Sequence, residues 1–161
     1  MTSWFRRGRE DAPPPAPATD PDAPEALLRR LWEQIQFVNH NSGALPNDAI
    51  VIARRITDML RDVIDTASER ALDAHAVAQI NGIVGDYLPT TLRTYLALDP
   101  SVTDKPLASG RTPRAALAEQ LEALLTAATE LLSATRDNDV NMLLSQGSFL
   151  RTKFTRSDLD L

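Results

Sequence analysis

Cysteine is absent from this 161-residue sequence, which removes disulfides, thiol nucleophiles and thiolate zinc sites together. Histidine occurs twice, at His40 and His75, so a Ser-His relay or a histidine metal centre has little to draw on. No apolar run approaches the roughly 18 residues that a membrane span requires. Residues 1–9 also lack the apolar core of a signal peptide, because Arg6, Arg7 and Arg9 follow Trp4-Phe5 at once. A cytoplasmic location is the expectation. The net charge of -5 argues against a general nucleic-acid-binding surface. Aromatic residues make up only 5%, and the dominance of Ala and Leu favours helices over strands.

Motifs that would carry catalysis are missing as well. There is no glycine-rich phosphate loop, His-Glu-x-x-His zinc signature or nucleophile elbow, and the Glu-x-x-His pattern of di-iron bundles does not occur. Asp137-x-Asp139-x-Asn141 opens like a calcium loop, but the sixth position is Met142 rather than Gly and the twelfth is Ser148 rather than Glu. No catalytic, cofactor-binding or metal-ligating residue is assigned on these grounds, no cofactor is implied, and the chain is not expected to be an enzyme.

What is present is ordinary globular material: 43% apolar and 24% charged residues, enough for one domain with a real core. Five prolines between Glu10 and Ala23 make an extended linker with nothing to bury. Residues 1–22 therefore read as a disordered arm, 23–156 as a helical bundle and 157–161 as a frayed tail. Asp22-Ala23-Pro24-Glu25 has the form of a capping box and leads into the stripe Leu27, Leu31, Ile35 and Val38. Pro46 opens a second helix whose apolar residues, from Ala49 to Ala67, recur at three and four without a miss. Asp73 is the expected cap of a third helix, and Thr112-Pro113 starts a fourth with near-heptad leucines from Leu117 to Leu132. Arg136-Asp137-Asn138-Asp139 interrupts that pattern and predicts a bend or restart before Val140, Leu143, Leu144, Gly147, Leu150 and Phe154. The fold class is all-α: an antiparallel four-helix bundle, its last helix split.

The segment Gly82 to Tyr95 is dense in unusual choices. A glycine inside a helix costs about 1 kcal/mol against alanine and an interior proline roughly 3 kcal/mol, yet Gly82, Gly85 and Pro89 all fall within one apolar-periodic helix. Pro89 removes a donor and crowds the carbonyl four residues back, at Gly85. A kink between Gly82 and Thr91 follows, with Thr90 and Thr91 bonding the freed carbonyls. Two readings stand side by side. The glycines let two helices approach closely, or the kink shapes a protein-binding groove from Gly82, Gly85, Tyr87, Pro89, Thr90, Thr91 and Tyr95.

The run Tyr87-Leu88-Pro89-Thr90-Thr91-Leu92 resembles the most recognisable motif of the XpaC-like family, named for 5-bromo-4-chloroindolyl phosphate hydrolysis. The loop, Leu-rich helix and acidic break that follow fit as well, so the resemblance covers residues 74–154. It implies a helical protein working beside TelA-like toxic-anion (tellurite) resistance proteins or in envelope stress, with a TelA-like protein as its partner. The family name implies phosphoester hydrolysis as an alternative.

The reading is a non-enzymatic interaction or scaffold protein, or else a bundle that pairs with itself as a homo-oligomer. Trp4 and Phe5 at headgroup depth and Arg6, Arg7 and Arg9 on phosphates would give weak peripheral membrane contact. Deleting residues 1–9 is expected to abolish co-sedimentation with anionic liposomes; unchanged sedimentation would remove the membrane contact.

Overall fold

The computed structural model describes residues 20–157 apart from Glu69, with the backbone alone at Ser68 and residues 149–157. The membrane contacts expected of Trp4, Phe5, Arg6, Arg7 and Arg9 lie outside the described residues, as do most of the N-terminal arm and residues 158–161. Five α-helical segments follow one another: α1 (Pro24–His40), α2 (Asn47–Asp65), α3 (Ala74–Gly82), α4 (Leu88–Leu96) and α5 (Pro113–Ser157). A single π-helical turn, Ile83–Tyr87, joins α3 to α4 without a break, so the two form one interrupted helix and the architecture is an all-α bundle of four. No strand occurs among the described residues, and none of the helices is long and apolar enough to cross a membrane.

Each helix buries the stripe that its periodicity marks. Leu27, Leu31 and Val38 of α1 meet Ile56, Leu60, Val63 and Ile64 of α2. Ile80, Val84, Leu88 and Leu92 of the third helix meet Leu117, Leu121, Ala128 and Leu132 of α5 in the same cluster. Consecutive helices alternate in direction, but α2 lies beside α5 rather than beside α3. Arg114 reaches Asp48 at 3.2 Å near the starts of both helices, and Arg136 reaches Asp62 at 3.7 Å near the end of α2, so those two neighbours run parallel. These ion pairs are exposed and worth little individually; they record the register that apolar packing sets.

The ends of the helices follow local chemistry, with one departure. Asp73 caps α3 by accepting from the Ala76 amide at 2.7 Å, and the Thr112 hydroxyl accepts from the Ala115 amide at 3.1 Å. At α1, however, Ala23 is the capping residue and no side chain caps it. The Asp22 carboxylate is engaged elsewhere, accepting from Asn81 of α3 at 2.8 Å. A tertiary bond has replaced the local capping box. In the loop after α4, the Ser101 amide donates to Asp99 at 2.8 Å. With the Ser101 side chain adding to it, that bond holds the Asp99 carboxyl below the usual carboxylate range.

The expected break near Asp137 does not occur. α5 runs without interruption for 45 residues, roughly 67 Å at 1.5 Å per residue. Asp and Asn lower helix propensity by only a few tenths of a kcal/mol each, and Asp139 is held to Arg70 by an ion pair of 2.9 Å. The apolar residues that follow the acidic run lie outside the core. Val140, Leu143 and Leu144 are 55%, 70% and 64% exposed, because α5 projects past the end of the other helices.

The core carries one polar irregularity. Thr57 and Thr135 are buried and satisfied by carbonyls one turn back, Arg54 and Leu131, at 2.8 Å each. The side-chain carbonyl of Gln34 is buried without a hydrogen-bond partner. An unpaired buried acceptor costs about 1–3 kcal/mol. Gln34→Met, which keeps the length of the side chain and removes the acceptor, is therefore expected to raise the unfolding free energy by about 1 kcal/mol or more in urea titration. A loss of stability instead would show that the Gln34 amide is anchored in solution.

Candidate interaction groove

The third helix solves the Pro89 problem by inserting a residue. At the end of the π turn the Leu88 amide donates to the Ile83 carbonyl, five residues back, instead of four. The α-helical repeat restarts at Leu88, so Pro89 falls in the first turn of α4, where a missing donor is tolerated. π-turns of this kind occur often at functional sites. Thr90 does not bond a freed carbonyl: its hydroxyl donates to the Asp86 carboxylate at 3.3 Å.

The insertion leaves Tyr87 on the outer side of the helix, 58% exposed. Its ring lies against the face of Gly82, where a Cβ would stand 3.4 Å from a ring carbon. Tyr87 thereby forms one wall of an open groove of about 650 Å³ between the third helix and α5. Buried Ile83 and Leu131, with half-buried Leu124 and Ala127, make the floor. Glu130 and His75 stand exposed at the rim, and a 2.7 Å hydrogen bond joins His75 to Gln79 one turn along α3.

Of the seven residues expected to form one surface, the structure places only Gly82 and Tyr87 in this groove. Thr91 and Tyr95 line a second, smaller one of about 280 Å³ nearer the other end of α4, with Leu98, Val102 and Leu117. Tyr95 is 9% exposed there, a core residue that shows one edge. The physical reason is helical register. Eight residues at 100° each leave the two tyrosines about 80° apart around the helix and about 12 Å along it. Pro89 is buried, Thr90 is exposed, and Gly85 faces open space.

Neither glycine admits a neighbouring helix. Gly82 receives the ring of its own helix's Tyr87, and nothing comes within 4 Å of a Cβ on Gly85. The residues missed in the sequence are those of α5, Leu124, Ala127, Glu130 and Leu131. Their leucine periodicity was visible, but it marks core and groove floor alike. Among the described residues no three His, Asp or Glu side chains gather as a metal-binding group would.

The class that these features define is an all-α four-helix protein whose third helix carries a π turn and an aromatic-walled groove. Comparison with protein-family models, with curated proteins and with solved structures finds no match to this chain.

Gly85 has no steric reason to be glycine, and its backbone is not in the left-handed region. Gly85→Ala is therefore expected to stabilise the fold by about 0.5–1 kcal/mol through backbone entropy, read as a higher midpoint in chemical denaturation. A destabilisation of similar size would mean that the π turn itself demands glycine.

Proposed function

We propose that this is a non-enzymatic interaction protein that takes an amphipathic helix of a partner protein into the groove between the π turn and α5. The observation that carries this reading is Tyr87. A large aromatic side chain, 58% exposed and resting on Gly82 where the helix is locally distorted, stands as the wall of a groove with an apolar floor. Partly exposed aromatic anchors over apolar floors are where helix-in-groove complexes concentrate their binding energy. The groove runs between two helices, which suits an elongated ligand, and its rim acid Glu130 favours a Lys or Arg on the polar edge of that ligand.

The similarity of Tyr87 to Leu92 to the XpaC-like motif makes a TelA-like protein of toxic-anion resistance or envelope stress the first partner to test. The N-terminal composition, Trp4 and Phe5 beside Arg6, Arg7 and Arg9, is what supports a cytoplasmic protein touching the inner face of the membrane. The hydrolase reading that the family name implies has no observation in the groove to favour it.

The test is co-purification from the host under mild lysis, with bound proteins identified by mass spectrometry. A TelA-like protein retained by Tyr95→Phe but lost by both Tyr87→Ala and Ala134→Arg would place the contact in this groove. Ala134 lies exposed at the groove mouth, so the arginine obstructs without disturbing the core. Retention by every variant would move the contact elsewhere, and recovery of the chain with no partner would count against the interaction reading.

A further inference from the structure

The last third of α5 is helical, and among the described residues no helix packs beside it. From Arg136 to Gln146 every residue is exposed, and three large aliphatic side chains, Val140, Leu143 and Leu144, are more than half exposed. One side of this overhang is occupied: Arg70, in the connection from α2 to α3, pairs with Asp139 at 2.9 Å and reaches the sulfur of Met142. At 100° per residue, the stripe Val140, Leu143, Leu144 and Gly147 lies roughly a quarter-turn round from the face that α5 presents to the bundle. Extending the bundle's own packing would not cover it.

Two features of the overhang say what would. The first is a symmetry of pattern about Gly147. Leu144 and Leu150 stand three residues to either side of it, and Val140 and Phe154 stand seven to either side. All five share one face of the continuous helical backbone. A Cβ on Gly147 would meet nothing within 4 Å, so the centre of the pattern is a bare stretch of backbone where another helix can approach closely. The second is charge. Asp137 and Asp139 lie before the centre, and Arg151, Lys153 and Arg156 lie after it. A second copy laid antiparallel about Gly147 sets the acidic segment 137–139 against the basic end of its partner; a parallel copy would set like against like.

We infer that the overhang is a self-association site, in which the stripe of one chain packs antiparallel on the same stripe of a second copy, with the twofold axis at Gly147. The surface is distinct from the groove at Tyr87, and the dimer does not depend on what that groove binds. A single pair of crossing helices falls at the small end of specific interfaces, so the dimer is weak and in exchange with monomer.

The experiment is velocity sedimentation of the full chain over a concentration series from low to high micromolar. A reversible monomer–dimer equilibrium is expected. Leu144→Asp should weaken dimerisation at least tenfold while leaving the circular dichroism and the bundle's melting transition unchanged, since Leu144 is exposed. Tyr87→Ala should leave the dimer intact. The cysteine-free background allows a geometric check. Gly147→Cys, at the axis, should form an intermolecular disulfide under mild oxidation, whereas Val140→Cys, displaced two turns from it, should not. A wild-type chain that stays monomeric throughout, a dimer indifferent to Leu144→Asp, or equal cross-linking at 140 and 147 would each overturn the assignment.

Discussion

A proline in a helix has no amide proton to give, and its ring collides with the carbonyl one turn earlier. Much of this protein's distinctive structure depends on how that conflict at Pro89 is resolved. Breaking the helix would have split its apolar stripe and lost the continuous packing of Ile80, Val84, Leu88 and Leu92, all of which are essentially fully buried. One π turn at Ile83–Tyr87 keeps the helix continuous and restarts the α repeat so that Pro89 becomes a first-turn residue. Core packing is preserved at the cost of local regularity. The outer side of the same turn then presents Tyr87, whose ring settles on Gly82.

The bundle around that turn is held by the register of α5 against α2 on one side and against the third helix on the other. α2 buries its apolar stripe from Ala49 to Ile64 in the core and leaves Val51 exposed on the outer face. Because α5, at 45 residues, is about twice as long as the third helix and longer still against α2, the packing that orders its first half runs out near Thr135, the last buried residue of its stripe among the described side chains. Beyond that point the helix is tied to the bundle by exposed ion pairs, Arg136 with Asp62 and Asp139 with Arg70, rather than by buried packing among the described residues. The molecule thus offers two surfaces of different origin: a groove made by distortion inside the bundle, and a stripe made by one helix outlasting its neighbours.

Local signals read well where local chemistry decides. The Asp73 and Thr112 caps, the α2 stripe and the trouble at Gly82 to Pro89 are all short-range effects, and each is found where the residue pattern places it. The misreadings share a cause. Asp22 has the local signature of a cap, and nothing in its neighbours says that Asn81, fifty-nine residues on, claims its carboxylate. The acidic run after Thr135 has the propensity of a break, and propensity does not include the partner, Arg70, that holds the helix there. The spacing of Val140, Leu143 and Leu144 marks an apolar face, but periodicity does not say whether anything lies opposite it, and here nothing in the bundle does.

Sequence by itself determined the all-α class, the number of long helices, their buried faces and the position of the distortion. These follow from the 3.6-residue period, from capping chemistry and from the missing proton of a proline, all of which act within a few residues. Only the tertiary structure decided that the distortion is a π turn, that Tyr87 and Tyr95 look into different grooves, and that α5 leaves its bundle behind. Those outcomes depend on which helix lies beside which and for how long, and packing between residues far apart in the chain leaves no mark on the local pattern of either.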